Sequence, residues 1–174
     1  MAITQVAIVG SGQMGLGIAQ VCAQAGISVT MVDVSGPALD QAQGAIAKAL
    51  DRMVQKETLS EADASAALAR IEGVVSDDGD YSALSDADLV LEAVPEIMDL
   101  KDTVLSGVAA AAKADALIVS NTSSISMTKL AACLPAERRA KFAGLHFFNP
   151  ARASPTPTLC STLCRYAPQP QFLA

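Results

Sequence analysis

Three glycines at a fixed spacing are the first residues in this sequence whose pattern indicates chemistry. Gly10, Gly12 and Gly15 form a G-x-G-x-x-G turn after a short apolar run over residues 3–9. In such a turn the first glycine permits the tight bend, the second lets a pyrophosphate approach the backbone, and the third lets a helix pack closely on a strand. The start of that helix favours phosphate, so the turn predicts a dinucleotide site. Two residues at the helix start are also predicted to line this site: Gln13 and Met14.

An acidic residue at the end of the next apolar run supports the dinucleotide interpretation. Asp33 follows a second expected strand over residues 27–32. A carboxylate there accepts hydrogen bonds from both ribose hydroxyls and repels a 2′-phosphate, so the pattern favours NAD as the cofactor. The alternative is an ordinary glycine turn followed by a solvated aspartate, because the glycine motif by itself is a weak signal.

The elements that must position these residues alternate between strands and helices. Strands are expected at residues 3–9, 27–32, 73–76, 88–94, 116–120 and 141–148, and helices at residues 14–25, 38–56, 60–71, 95–112 and 127–133. This alternation predicts an α/β fold with a Rossmann-like, doubly wound, mostly parallel sheet and helices on both faces. Residues 37–71 are too many for one crossover helix and predict an inserted helical hairpin.

Charge and composition exclude several classes of partner. The chain has 174 residues, a net charge of −6 and 51% hydrophobic residues, which fits one ordinary globular domain. An acidic chain does not favour nucleic acid or an anionic membrane surface, and no apolar run reaches the ~18 residues that span a bilayer. Four cysteines without a disulfide framework and an N-terminus without a secretion signal predict a cytoplasmic protein.

The composition changes after residue 150. Residues 151–174 contain no aspartate or glutamate and four of the eight prolines. Because proline lacks a backbone donor and has a fixed φ, regular helix and central strand are disfavoured there. We therefore divide the chain into a dinucleotide-binding domain over residues 1–150 and an irregular or disordered tail over residues 151–174.

Four segments together carry a resemblance to a known family. Besides the glycine turn, they are DLVLEAVPE at residues 88–96, SNTSSIS at residues 120–126 and GLHFFNP at residues 144–150. In this order they resemble the 3-hydroxyacyl-CoA dehydrogenases, especially the 3-hydroxybutyryl-CoA type, over residues 3–150. The resemblance implies oxidation of the 3-hydroxyl of an L-3-hydroxyacyl-CoA by NAD, in fatty acid β-oxidation. It also implies a helical domain after the Rossmann domain that carries most of the homodimer contact.

The resemblance implies roles for individual residues. His146 corresponds to the general base, Ser123 to the hydroxyl that bonds the substrate oxygen, and Asn149 to the group that holds the substrate or the nicotinamide edge. The residues implied to line the NAD site are Glu96, Lys101 and Asn121, and the residue implied to meet a coenzyme A phosphate is Lys56.

The chemistry of the residues bears on these roles separately. Removing a hydroxyl proton while hydride leaves the same carbon needs a base that titrates near neutrality, and His146 is the only histidine. The alternative is a strand-end histidine with a backbone partner. Ser123 lies in a polar run that also suits a turn or a helix cap, and both roles are compatible. Lys56 is equally consistent with a solvated lysine at a helix end.

Two other chemistries are not indicated. Glu92 and Glu96 flank Pro95, but no second carboxylate signature and no sugar-binding aromatic residues accompany them, which argues against a glycosidase. One histidine and the pair Cys160 and Cys164 do not supply a metal ligand set, so no metal is predicted.

The sequence departs from the family pattern after residue 150. The family carries a glutamate about twelve residues past the histidine, which orients the imidazole, whereas this chain has Thr158 there and lacks the helical domain. We therefore expect a truncated or frameshifted product of uncertain oligomeric state; a genuine short protein with its own tail is the alternative. Two functions follow: an enzyme completed by a partner chain, or an inactive NAD-binding remnant. The face that would meet the helical domain is expected to expose Phe147 or Phe148.

Overall fold

One seven-stranded sheet organises the computed structural model, which describes residues 2–147, Ala151 and the backbone of residues 158–160. Its strands are β1 (Gln5–Val9), β2 (Ser28–Asp33), β3 (Ile71–Val75), β4 (Leu89–Glu92), β5 (Leu117–Ser120), β6 (Phe142–His146) and β7 (Thr158–Cys160). They lie in the order β3-β2-β1-β4-β5-β6-β7, with β1 to β6 parallel and β7 antiparallel to β6. The strand order reverses between β1 and β4, and ligands bind at such switch points in open α/β sheets.

Helices cover both faces of this sheet. They are α1 (Gln13–Gln24), α2 (Gly36–Gln55), α3 (Glu61–Ala69), α4 (Met98–Ala111), α5 (Met127–Ala132) and α6 (Ala136–Arg139). Within β1, Val6 and Ile8 join a buried cluster with α1, α2 and α3, whereas Ala7 and Val9 join a second cluster with α4 and α5. Alternate residues of the strand therefore face two separate cores, which confirms the predicted doubly wound architecture.

The predicted helical hairpin is present as α2 and α3 between β2 and β3, and serine caps begin both helices. The Ser35 hydroxyl accepts from the N–H of Ala38 at 3.3 Å. The Ser60 hydroxyl accepts from the N–H of Asp63 at 3.1 Å and donates to the Asp63 carboxylate at 2.6 Å. The Ser60 hydroxyl thus satisfies one free N–H of the helix start, and the Asp63 carboxylate accepts the proton of that hydroxyl.

Several boundaries differ from the sequence expectation. Helix α4 begins at Met98 instead of residue 95, because Ile97 is extended (φ −120°) and its N–H donates to Pro95 in a tight turn. Ile71 was expected to end a helix but begins β3, where it pairs with Val29 of β2. Parallel strand pairing therefore overrides the helical periodicity of the preceding segment. Helix α6 and two short 3₁₀ turns, Asp77–Gly79 and Ser82–Leu84, were not predicted.

Helix α6 has a packing role that its four residues do not reveal in the sequence. The guanidinium of Arg138 is buried and donates to the carbonyl oxygens of Ala109 at 3.0 and 3.1 Å, Lys113 at 2.7 Å, and Ala112. Carbonyl groups at the end of a helix have no partner within it, so a cation there satisfies them and complements the helix dipole. Arg138 therefore closes the C-terminal end of α4.

The tail departs from the irregular conformation expected for it at one point. Residues 158–160 form β7, which pairs with β6 so that Thr158 lies opposite His146 and Cys160 opposite Gly144. The strand lies at the edge of the sheet, where only one side needs a hydrogen-bonding partner, and the prolines at positions 155 and 157 precede it. The proline content therefore did not exclude a short edge strand.

Asp88 connects the amino-terminal ends of the strands. Its Oδ2 accepts from the N–H groups of Thr4 and Gln5 at 2.8 and 3.0 Å and from the Thr4 hydroxyl at 3.0 Å. Its Oδ1 forms an ion pair with Lys113 at 2.6 Å. The Lys113 contact first, and the donors of Thr4 and Gln5 next, hold the pKa of Asp88 well below its usual range. The charged carboxylate therefore joins β1, β4 and the end of α4.

We expect Asp88→Asn to lower the free energy of unfolding at neutral pH by about 1–2 kcal/mol, because charge-assisted hydrogen bonds become neutral ones. Since the folded-state pKa of Asp88 is depressed, its stabilisation is present above the unfolded-state value of about 4 and is lost as pH falls below it. Urea unfolding at a series of pH values measures this. A variant that keeps the acid-dependent loss of stability of the unmodified chain would contradict the assignment.

Candidate functional site

The glycine turn has the backbone geometry that a nucleotide site requires. Gly10 has a φ of +105°, and its N–H donates to the carbonyl oxygen of Val32 at 2.8 Å, which bonds the turn to the end of β2. A Cβ on Gly15 would overlap the carbonyl oxygen of Gly10, so only glycine permits this close packing. A Cβ on Gly12 would meet no atom within 4 Å. The backbone at Gly12 therefore faces open space, as close approach by a pyrophosphate requires.

The start of α1 presents backbone donors to that space. Gly12 is the N-cap and provides no side-chain acceptor, and the N–H of Leu16 is bonded to its carbonyl oxygen at 2.9 Å. The first turn of α1 contains no acidic residue. Of the two predicted residues at the helix start, Gln13 is exposed and Met14 packs partly against the core. This helix end therefore suits a phosphate group by its backbone N–H groups and by its dipole.

Asp33 holds the glycine turn from the neighbouring strand. Its Oδ2 accepts from the N–H and the hydroxyl of Ser11, both at 2.7 Å. Its Oδ1 accepts from the N–H of Ser35 at 3.1 Å. The side chain is half-buried at the carboxyl end of β2. Asp33 thus stabilises the turn in addition to the ribose contact predicted from the sequence.

A histidine and a serine lie close together at the carboxyl ends of the strands, where the glycine turn also lies. The Nε2 atom of His146, at the end of β6, lies 2.7 Å from the hydroxyl of Ser123 in the loop after β5. In the same loop, the Asn121 side-chain oxygen accepts from the N–H of Phe147 at 2.9 Å. An imidazole and a hydroxyl in this contact can bond one substrate oxygen and remove its proton. The fold therefore brings His146 together with Ser123 and Asn121, which lie in a separate segment of the sequence.

Comparison with known proteins decides the family. Residues 5–161 match the family described as 3-hydroxyacyl-CoA dehydrogenase, NAD binding domain. The chain belongs to the 3-hydroxyacyl-CoA dehydrogenase family. The family expected from the sequence and the expected cofactor, NAD, are thereby confirmed, and the family is one of oxidoreductases. The match extends past residue 150, the boundary predicted for the nucleotide-binding domain, and the division of the chain at that residue stays a prediction.

Individual relatives agree with this family match. A probable 3-hydroxyacyl-CoA dehydrogenase of Caenorhabditis elegans is 40% identical over 150 residues, which cover 85% of this chain and 48% of the relative. A 3-hydroxybutyryl-CoA dehydrogenase of Bradyrhizobium diazoefficiens is 39% identical over 148 residues, with the same coverages. The crystal structure of (S)-3-hydroxybutyryl-CoA dehydrogenase from Ralstonia eutropha superposes with a TM-score of 0.81 at 46% identity, covering 86% of this chain and 51% of that one. The chain thus spans about half the length of these relatives.

Glu96 connects the β4–α4 loop to the loop that carries Ser123. Its carboxylate accepts from the N–H of Ser123 at 2.6 Å and from the Thr122 hydroxyl at 2.9 and 3.0 Å. Partial burial raises the pKa of Glu96, but these hydrogen bonds and the charge of Lys101 outweigh burial and place the pKa below its ordinary value. Glu96 is 38% exposed and lies within the site, where the prediction of an NAD contact remains open to test.

Lys101 lies deeper than its predicted role suggests. Its side chain is fully buried, and the ammonium contacts Glu92 at 2.6 Å, the carbonyl oxygen of Val94 at 3.2 Å and Glu96 at 3.6 Å. Glu92 is also fully buried and accepts from the Ser120 hydroxyl at 2.6 Å. Sequence reasoning did not assign Glu92 to the site, although an acid inside the apolar run LVLEAV is an available signal for it.

The remaining predicted residues lie outside this cluster. Lys56 is exposed as the C-cap of α2 and joins none of the ion pairs in the described chain. Asn149 and Phe148 lie outside the described residues. Phe147 or Phe148 was expected on an exposed face; Phe147 is only 7% exposed and packs into the core beside α1. Its apolar ring therefore belongs to the domain's own core. Among the described residues the exposed large apolar side chains are those of Val34, Leu68, Val75, Ile97 and Leu100.

Neither metal binding nor membrane insertion is indicated in this domain. Among residues 2–147, no three His, Cys, Asp or Glu side chains come together as a metal site would require. No helix in the described part of the chain is both long and apolar enough to cross a bilayer.

We expect Gly12→Val to weaken NAD binding at least about a hundredfold while the sheet stays folded. The new side chain would fill the open space in front of the turn, and replacing glycine by valine at an N-cap costs only about 1 kcal/mol. Calorimetric titration with NAD and thermal unfolding followed by circular dichroism measure the two effects.

Two other glycines provide controls for this experiment. Gly44 lies exposed in α2, where an added Cβ would meet no atom within 4 Å, so Gly44→Val should leave NAD binding unchanged. Gly15→Ala should lower stability more than Gly12→Val, because the added carbon overlaps the carbonyl oxygen of Gly10. Normal NAD affinity in a folded Gly12→Val variant would show that the glycine turn is not the cofactor site.

Proposed function

We propose that this domain binds NAD and serves in the oxidation of the 3-hydroxyl of an L-3-hydroxyacyl-CoA. The observation that supports this most directly is the 2.7 Å contact between His146 Nε2 and the Ser123 hydroxyl, at the sheet edge that also carries the glycine turn. A base and a hydrogen-bonding hydroxyl beside a dinucleotide site suit dehydrogenation of an alcohol.

The residues present fit the cofactor. Gly12 leaves space for a pyrophosphate, the first turn of α1 offers its N–H groups, and Asp33 stands at the end of β2 for the ribose. When bound, NAD supplies the hydride acceptor. Ser123 would bond the substrate hydroxyl, and His146 would accept the proton from that oxygen as the carbon–hydrogen bond breaks. Both residues would thus act on the same atom from neighbouring loops.

A second function is supported by one feature of β7. The family resemblance implies a glutamate that orients the histidine, and the position opposite His146 in this chain is Thr158. A base without an orienting carboxylate loses both its preferred tautomer and the stabilisation of its charged form. The alternative to an enzyme completed by a partner chain is therefore a domain that binds NAD without turnover.

Further parts of the proposal concern the partners and the location of the protein. Coenzyme A is the expected second ligand, with Lys56 as a candidate for its phosphate, and the family's homodimer is the expected assembly once a helical domain is present. Cys22 and Cys133 are free, and burial raises the pKa of the Cys22 thiol to about 11, which keeps it protonated and unreactive. Free thiols of this kind agree with the cytoplasmic location expected from the sequence.

We expect the chain to bind NAD at least about tenfold more tightly than NADP. A 2′-phosphate would face the Asp33 carboxylate, and a lost hydrogen bond to a charged group costs about 1.5–3 kcal/mol. Asp33→Asn should reduce this preference, whereas Asp40→Asn, at an exposed position of α2, should leave it unchanged. Calorimetry with both cofactors makes the comparison, and equal affinities in the unmodified chain would refute the role of Asp33.

We expect this chain alone to reduce acetoacetyl-CoA at least ~10³-fold more slowly than a full-length relative, since losing an orienting carboxylate costs about 10⁴ in a serine-protease triad. Thr158 pairs with His146 in the strand register, so Thr158→Glu should raise the rate and the uncharged Thr158→Gln should not. NADH absorbance follows the reaction, with His146→Ala as the blank. Fast turnover in the unmodified chain that disappears in His146→Ala would overturn the expected inactivity and support the base.

A further inference from the structure

We propose that Glu92 is a positioning residue: its buried carboxylate, acting through Lys101 and Glu96, holds the loop that presents Ser123 to His146. This inference rests on the proposed roles of Ser123 and His146. The influence of Glu92 on them passes through the chain of contacts described below.

Glu92 occupies the centre of the sheet at the point where three strands end together. In the strand register it lies between Val9 of β1 and Ser120 of β5. Its Oε2 accepts from the Ser120 hydroxyl at 2.6 Å, and its Oε1 accepts from the N–H of Val94 at 2.8 Å and from Lys101 at 2.6 Å. Each carboxylate oxygen is therefore engaged, and the contacts reach β5, the β4–α4 loop and α4.

Lys101 passes this constraint outward to the site. Its ammonium lies between two carboxylates, Glu92 at 2.6 Å with 0% exposure and Glu96 at 3.6 Å with 38% exposure. The buried carboxylate fixes the ammonium, and the ammonium attracts the carboxylate at the surface. The position of Glu96 is thus stabilised by the buried ammonium of Lys101, which has no access to water.

Glu96 completes the path to the proposed catalytic pair. It accepts from the N–H of Ser123 and from the Thr122 hydroxyl, and Thr122 in turn accepts from the N–H of Ile125 at 3.0 Å. Glu96 therefore holds the loop at Ser123 and Thr122 directly, and at Ile125 through Thr122. The Ser123 hydroxyl then lies 2.7 Å from His146.

The energetics of buried ions favour such a role over one in stability. Removing two charges from water costs several kcal/mol per ion, and replacing a buried pair by apolar residues is often neutral or stabilising. An apolar pair could fill the same volume, but it could not orient Glu96 or bond Ser120. The pair Glu92–Lys101 therefore supplies directed contacts at the site, and directed contacts set the geometry of a reactive group.

The chain offers a matched control for a test of this role. Asp88 and Lys113 form a second ion pair of the same length, 2.6 Å, at the other end of β4 and away from the loop that carries Ser123. We compare Glu92→Gln/Lys101→Met with Asp88→Asn/Lys113→Met, and add Ser120→Ala, which removes one hydrogen bond to Glu92 and no charge. Because His146 is the only histidine, its imidazole nitrogen signals can be assigned directly by ¹⁵N NMR of the full, tag-free chain.

The readouts are the His146 nitrogen shifts, which report its tautomer and hydrogen bonding, and hydrogen exchange of the Ser123 amide. We expect the Glu92/Lys101 variant to stay folded by circular dichroism, to change the nitrogen shifts, and to exchange the Ser123 amide at least about tenfold faster. Ser120→Ala should change the same signals in the same direction by less. The Asp88/Lys113 variant should lower the melting temperature and leave both signals unchanged.

The result that overturns the proposal is a folded Glu92/Lys101 variant with the His146 shifts and Ser123 exchange of the unmodified chain. Equal changes in the Asp88/Lys113 variant would also overturn it, because they would reflect general destabilisation. If the Glu92/Lys101 variant does not fold, Ser120→Ala decides by the same two signals. None of these readouts requires turnover, so an inactive chain, or a failure of His146 as the base, does not alter the outcome.

Discussion

In-register pairing of parallel strands is the constraint on which the whole site depends. Val9, Glu92 and Ser120 lie side by side at the ends of β1, β4 and β5, so the three following loops leave the sheet at one place. The glycine turn, Glu96 and Ser123 belong to those three loops. Each of these strands is held by backbone hydrogen bonds on both sides. The loops therefore start from rigid strand ends, and a few side-chain contacts suffice to align their functional residues.

Asp33, the residue proposed to recognise the ribose, also organises the backbone around it. It bonds Ser11 twice and Ser35 once, which joins the glycine turn to the beginning of α2. A ribose would therefore meet a carboxylate whose orientation is already fixed by the protein. Preorganisation of this kind reduces the ordering that binding must otherwise bring about, so the proposed recognition would depend on the same atoms as local stability.

Local patterns predicted much of this fold, and long-range contacts account for the rest. The glycine turn, the alternating elements and the hairpin of α2 and α3 follow from residue types and spacing within short windows. The burial of Phe147 and the pairing of Glu92 with Lys101 depend on which elements become neighbours, and periodicity does not specify that. Strand β7 was missed because composition, which disfavoured helix and central strand there, does not report an available edge beside β6. The resemblance implied site roles for both Glu96 and Lys56. Glu96 is hydrogen-bonded to Ser123 in the site, whereas Lys56 lies at the end of α2.

The short strand β7 also has a consequence for the solubility of the folded chain. Without it, β6 would present an unpaired row of backbone donors and acceptors along the apolar segment Phe142–His146, which is a template for strand addition by another molecule. Three paired residues replace that long edge with a shorter one. At the other edge of the sheet, β3 carries the exposed charge of Glu72, which disfavours pairing with a strand of another molecule. Strand β7, which lies opposite His146, thus also reduces the tendency of the domain to aggregate through the edge of β6.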